Sequence, residues 1–473
     1  MQQIEFQHLM NRAGFGATPG ELTAFAGKSR TEVVNSIFSK SADNTDLIAV
    51  KRSEVDDILA ELKEKDPDTK KMYRKMLEEK KVDLNVTWLR KIINSPAQLN
   101  EKMTFFWHCH FACRDDNPVL IQMLNNDMRD NALGNFRNLL MAVAQSPAML
   151  KFLNNQQNKK DAPNENFARE VMELFTLGRG NYTEQDIKEA ARAFTGWSFD
   201  NETLNFHFRE RQHDFEEKQF FGKTANFDGK DIIDMILYKE ECARFIVGKI
   251  YQFFINDVRD EKVIEDLAHK FYMSDYDIGG LMKEIFLADW FYDKKNIAVR
   301  IKSPVELIVN TSRWLGAEYG GDEALLFIQR ILGQVLFLPP NVAGWPNGKK
   351  WIDSSSLIFR MEFGKKLIEV SDFTQRLKAD DDTDPNMARV KEKMAAKKGK
   401  LYELDAKINW DLVCAHFNFS SDEKLYNQVS SALLSANNVS YANENYGFNE
   451  ADNSAKLKGL LIHLMSKPEF QLC

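Results

Sequence analysis

Little in this 473-residue sequence breaks or staples a chain. Glycine (23) and proline (12) are scarce, and the five cysteines are an odd, scattered set: Cys109, Cys113, Cys242, Cys414 and Cys473. So sparse a set argues against a disulfide framework, and reduced thiols are expected. Long apolar runs are missing too. The most apolar stretch, ALLFIQRILGQVLFLPP, is interrupted by Arg330 and ends at Pro339-Pro340. It is too short and too polar for a bilayer span, so no membrane insertion is expected. No cationic start followed by an apolar run is visible, which makes a cytoplasmic location the expectation. Positive charge is not in excess either. The formal net charge of −7 gives no electrostatic case for nucleic acid or anionic lipid as a partner.

What the chain has in abundance is phenylalanine (34 residues), within an apolar fraction of 44%. Few breakers and many large apolar side chains favour long packed helices. The fold class expected is mainly α: a multi-helical globular array with a small β-hairpin insertion near 198–227, where polar and apolar residues alternate. Helical spacing is clearest over 84–94, 97–113, 117–131, 133–144, 163–177 and 184–196. It resumes over 229–239, 241–256, 260–272, 277–288, 304–315, 322–333 and 354–370. Three starts carry cap signals: Thr18 with Pro19 and Glu21, Thr183 with Asp186, and Ser303 with Pro304. Residues 50–82 mix charges at helical spacing and read as a solvated helical pair broken near Pro67. The charged segment 376–404 reads as a linker with an exposed helix. It divides a main domain, 1–375, from a C-terminal helical piece, 405–473, expected to pack on it.

The stretch most suggestive of chemistry is NENFAREVMELFTLGRGNYTE. At about 100° per residue, Phe167, Val171 and Leu174 form one apolar face. Glu165, Arg169 and Glu173 fall opposite it, spaced for ion pairs at i, i+4. Glu170 falls inside the apolar arc. A carboxylate there is costly unless it is paired, hydrogen-bonded or metal-bound. Glu170 therefore needs a partner, which is either an arginine or a helix end in a structural role, or a metal or substrate proton in a catalytic one.

The WHCHF segment supplies candidates. His108 and His110 point roughly 200° apart on a helix, so His-x-His does not chelate one metal unless the helix breaks. His110 alone can face the core and meet Glu170, or it can be a core histidine bonded to a main-chain carbonyl. Cys109 and Cys113, without a second Cys or His pair, read as small core hydrophobes. His213, beside Asp214 in a loop, would complete a Glu/His site or tie the hairpin down. The PPNVAGWPNGKKW stretch offers Trp345 and Trp351, either as a groove for a sugar or peptide or as pins for a long loop. Arg12, Arg137, Arg169 and Arg192 would serve an anion site or a structural network equally well. Phosphate-binding loops, HExxH and GxSxG patterns are absent.

Taken in order, HLMNRAGFGATPGEL, EKMTFFWHCHFA, NENFAREVMELFTLGRGNYTEQDIKEAARAFTGW, HDFEEKQFFG, LGQVLFLPPNVAGWPNGKKW and the closing SKPEF resemble the bacterial family called domain of unknown function 1800. The match runs through nearly the whole chain, with Cys109 standing where that family's motif reads WHNHF. The resemblance implies that relatives are often exported and encoded beside a sulfatase-like family, which would make such a protein a partner. It implies no chemistry.

From the residues themselves two functions are open. One is an enzyme with a polar pocket between helices, suited to hydrolysis. Glu170, Glu173 and His213 would act in catalysis, and Asn166, Arg169, Trp345 and Trp351 would bind a small-molecule, glycan or peptide substrate. A divalent metal ion would sit on His110, Glu170 and His213. The other is a non-catalytic binding or assembly protein, whose polar motifs are structural ion pairs and whose 339–351 loop is a contact surface.

Overall fold

The three cap signals form in the computed structural model, which describes residues 1–64, 66–369, 406–435 and 452–473. Thr18 and Glu21 close a capping box at the helix Pro19–Phe25. Thr183 and Asp186 do the same at Glu184–Ala193, and Ser303 and Glu306 at Pro304–Leu315. Each box satisfies main-chain N–H groups that a helix start leaves unpaired. The expected hairpin of charged helices is the pair Arg52–Glu64 and Pro67–Asn94, broken at Asp66-Pro67.

The architecture is mainly α. Helices such as Gln98–His110, Pro118–Asp130, Glu240–Phe254 and Asp322–Leu332 turn apolar residues onto a contiguous core that holds Trp88, Trp107, Phe105, Phe111 and Phe136. The β content is a set of antiparallel two-strand pairs. Trp197–Phe199 pairs with Phe206–Phe208, Lys218–Phe220 with Lys223–Ala225, and Glu318–Tyr319 with Ala406–Lys407. The single hairpin expected over 198–227 is thus two successive hairpins, separated by the turn that carries His213 and Asp214. No described helix is long and apolar enough to cross a membrane.

Three helices differ from their expected course. The helix expected over 84–94 is the continuation of the second charged helix, in one unbroken run from Pro67 to Asn94. The helix from Gln98 ends at His110, because a new helix begins at Asn117-Pro118. The segment expected as one helix over 163–177 is α-helical only from Glu165 to Glu170, then widens to a π-helical turn from Val171 to Thr176. There the Thr176 hydroxyl donates to the Val171 carbonyl at 2.6 Å, and both Leu177 and Gly178 donate to the Met172 carbonyl.

The chain end returns to the main body. The C-terminal helix Asn453–Met465 packs on Ser354–Glu369, where a Cβ added to Gly364 would stand 2.7 Å from the Met465 Cβ. The last residues bridge to Ile301, with Lys302 N–H donating to the Gln471 carbonyl at 2.9 Å. The linker expected over 376–404 lies outside the described residues.

Candidate functional site

The NENFAREVMELFT helix begins at Asn164, whose side chain accepts from Asn166 N–H, and Asn166 itself is exposed. Arg169 pairs with Glu165 at 3.1 Å, as the spacing suggests, but its main partner is Glu184, reached at 2.8 and 2.9 Å. The expected Arg169–Glu173 pair does not form. Glu173 instead accepts from Arg179 at 2.5 Å and from the Tyr182 hydroxyl at 3.0 Å. The bond from Arg179 chiefly holds Glu173 below the ordinary carboxylate range. The partner missed the helical wheel because it lies beyond the π turn, on the glycine-flanked loop after it.

Glu170 is different. It stands half-buried at the junction of the α and π turns, with no hydrogen-bond or ion-pair partner among the described residues. Burial, and then the neighbouring Glu173 charge, push its pKa up. Neither His110 nor an arginine bonds to it.

The histidines have other partners. His110 Nε2 lies 3.0 Å from the Phe175 carbonyl, with the His110 ring packed among Phe106, Phe111 and Phe175. Burial lowers its pKa to about 3. His108 points the other way. Its Nε2 accepts from Phe337 N–H at 3.2 Å, and burial lowers its pKa to about 3 as well. His213 is buried with Nδ1 2.8 Å from the Thr195 carbonyl, while Asp214 binds Arg192 at 2.7 Å. A carbonyl on one ring nitrogen would leave the other free for a metal. The decisive observation is that among the described residues no three His, Cys, Asp or Glu side chains come together in a way that could hold a metal ion. The expected His110/Glu170/His213 set is therefore not assembled, because main-chain carbonyls on separate elements hold the two histidines.

The tryptophans sit under the long loop. Trp345 and Trp351 are only 9% and 3% exposed, so neither offers an open stacking face. Trp345 packs 5.1 Å from the His108 ring. Between the prolines and Trp345, Gly344 takes φ +81°, and a Cβ there would stand 2.7 Å from the Cys109 carbonyl. The loop is thus seated against the end of the WHCHF helix.

Sequence reasoning missed a cluster deeper in the protein. Arg12, Lys102, Arg300, Lys302 and Arg360 are each no more than 6% exposed. Lys102 bonds to the buried Glu306, with Arg300 4.0 Å from the same carboxylate and 3.7 Å from Asp257. Lys302 donates to Asn310 and to the Phe470 carbonyl, each at 2.8 Å. Burial alone would raise the Glu306 pKa, but Lys102 and Arg300 bring it down to about 2. Burial lowers Lys302 to about 8 and both Arg12 and Arg360 to about 10. Of these residues only Arg12 stood out in the sequence. The other four cations lie on three separate segments, and no local spacing joins them.

A cleft of about 340 Å³ opens elsewhere, between the first two helices and the C-terminal piece. Phe6, Leu22 and Phe417 supply apolar wall, and Gln2, His416 and Gln428 supply polar groups. One edge is fixed by the Gln3 and Gln7 amides, both donating to the Ser431 carbonyl.

These features define a helical protein with an ion-paired interior and no assembled metal centre among its described residues. The chain belongs to the family described as protein of unknown function (DUF1800), whose model matches residues 8–472. Comparison with curated proteins and with solved structures finds no match.

Proposed function

We propose that this protein binds a ligand without transforming it, and that the ligand occupies the cleft between the first two helices and the C-terminal piece. The cleft carries the reading. Its volume of about 340 Å³ suits a small molecule or a short peptide segment, and it mixes aromatic wall with scattered hydrogen-bonding groups. The ligand class is then an aromatic or aliphatic group bearing amide or hydroxyl functions. The polar motifs support this reading, because Arg169, Glu173, Asp214 and Arg192 are committed to ion pairs and His110 and His213 to main-chain carbonyls.

Ala26 lines the cleft and is exposed, so Ala26→Trp fills the cleft without entering the core. In a thermal-shift and calorimetric screen of aromatic-capped tripeptides, at least one should bind the wild-type chain. Ala26→Trp should weaken that binding tenfold or more, about 1.4 kcal/mol, while its own melting temperature without ligand stays put. If nothing binds, or if binding ignores the tryptophan, the cleft is not the site.

One observation favours a second reading, acid–base catalysis at Glu170. A half-buried carboxylate with no partner, raised in pKa and placed at a π turn, is a frequent property of functional sites. Proton exchange at that carboxyl, with Glu173 and Tyr182 flanking, is the chemistry it would perform. Glu170→Gln would then remove an activity while leaving cleft binding intact.

A further inference from the structure

The buried cationic cluster exceeds what folding requires. Arg12 comes from the first helix, Lys102 from Gln98–His110, Arg300 and Lys302 from the segment before Pro304, and Arg360 from Ser354–Glu369. All five lie within electrostatic reach of Glu306, the one buried carboxylate of the cluster. Asp257 at the rim adds further negative charge. Five cations against these leave an excess of positive charge in a place without water-like screening. Burying an unpaired charge is costly, and apolar residues of the same size would serve a core better.

The guanidinium groups are also incompletely bonded. Arg12 Nη2 donates to the Asn296 carbonyl at 3.1 Å, and Arg360 donates through Nη2 to the Lys302 carbonyl and through Nε to Gln471 at 3.2 Å. Arg12 Nε, Arg300 Nε, Arg300 Nη1 and Arg360 Nη1 are buried with no hydrogen-bond partner among the protein's atoms. These are N–H donors on three planar forks that approach from three different segments. Planar guanidinium groups bind the several oxygens of a tetrahedral oxyanion through paired N–H bonds, a match that chloride does not offer.

We propose that this cluster is an internal binding site for a free tetrahedral oxyanion, phosphate or sulfate, held by Arg12, Arg300 and Arg360 with Lys102 and Lys302 supplying charge. Full burial favours the inorganic ion over an ester, whose organic part would have to occupy packed core. The approach is beside Asp257. Its side chain, 40% exposed, lies between Arg300 and solvent, and a Cβ added to Gly348 of the Pro339–Trp351 loop would stand 2.8 Å from it. The site is independent of the cleft, so either can fail alone.

The test uses the full chain, exchanged into chloride buffer at fixed ionic strength. Ion chromatography of denatured protein measures any phosphate or sulfate carried through purification, and calorimetry measures what then binds. Carried and titrated oxyanion together should approach one equivalent, with no saturable effect of added chloride. Arg300→Gln should weaken binding at least tenfold. Asp257→Asn, a change at the exposed rim that leaves the core untouched, should tighten it several-fold by removing a competing carboxylate. No oxyanion by either measure overturns the proposal. So does a dissociation constant indifferent to Asp257→Asn, which decides the matter even where Arg300→Gln fails to fold.

Discussion

His108 illustrates how a single residue's protonation can be read from its neighbours. Its Nε2 accepts a main-chain N–H, so the proton of the neutral ring sits on Nδ1, and the aromatic wall of Trp88, Phe337 and Trp345 disfavours a second proton. The folded pKa is about 3, below the unfolded value of 6.5. The unfolded chain therefore takes up a proton that the folded chain refuses as pH falls below 6.5, and stability drops. At pH 5.5 the loss from this residue is about 1.4 kcal/mol. His108→Gln, which keeps an acceptor for Phe337 N–H, should reduce the fall in unfolding free energy between pH 7 and 5.5, read from urea titrations, by about 1.2 kcal/mol. An identical pH slope in wild type and variant would refute the buried neutral ring. In the sequence, the divergence of His108 and His110 was readable because both sit in regular helix. Which atoms they bond was not readable, since Phe337 and Phe175 lie far along the chain.

Elements show where a regular-helix assumption stops working. The wheel that placed Glu165 near Arg169 is valid through Glu170, and that pair forms. Past Val171 the turn widens, each residue advances by less than about 100°, and the inferred Arg169–Glu173 neighbours separate. Thr176 marks the switch, since its fully buried hydroxyl bonds five residues back to Val171. Thr176→Val keeps the shape and removes that bond, and should cost about 1 kcal/mol in a denaturant titration. No loss would mean that the π turn is held by packing alone. The Pro339–Trp351 loop makes a sharper case. Its glycines, prolines and tryptophans were conspicuous in the sequence, but whether the tryptophans faced out or in depends on tertiary contacts that no local pattern carries. Gly344→Ala puts a Cβ at φ +81° and 2.7 Å from the Cys109 carbonyl. The strain should cost about 1–3 kcal/mol, and lifting of the loop should appear as a red shift in tryptophan fluorescence. Unchanged emission and stability would show that the loop is not seated there.

Across the whole molecule, the cationic cluster joins the first helix, the helix Gln98–His110, the segment entering Pro304–Leu315, the helix Ser354–Glu369 and the chain end. Its charges are unequal in importance. Replacing Lys102 by Met leaves Glu306 with Arg300 at 4.0 Å and with Ser303 N–H at 2.7 Å, so the carboxylate keeps partners. Replacing Glu306 by Gln preserves the capping geometry at Ser303 but leaves the buried cations facing the rim carboxylate Asp257. Glu306→Gln should therefore cost about 3–5 kcal/mol, the range for stranding a buried charge, and Lys102→Met clearly less. Urea denaturation of the two single variants and the double variant gives the order, and Lys102→Met as the costlier change would refute this assignment of charges. The oxyanion site adds a second constraint. An anion stabilises the state that binds it by mass action, and losing the Glu306 charge removes repulsion toward that anion. Phosphate or sulfate should then restore more stability to Glu306→Gln than it adds to the wild-type protein, a difference that a purely structural ion-pair network would not produce.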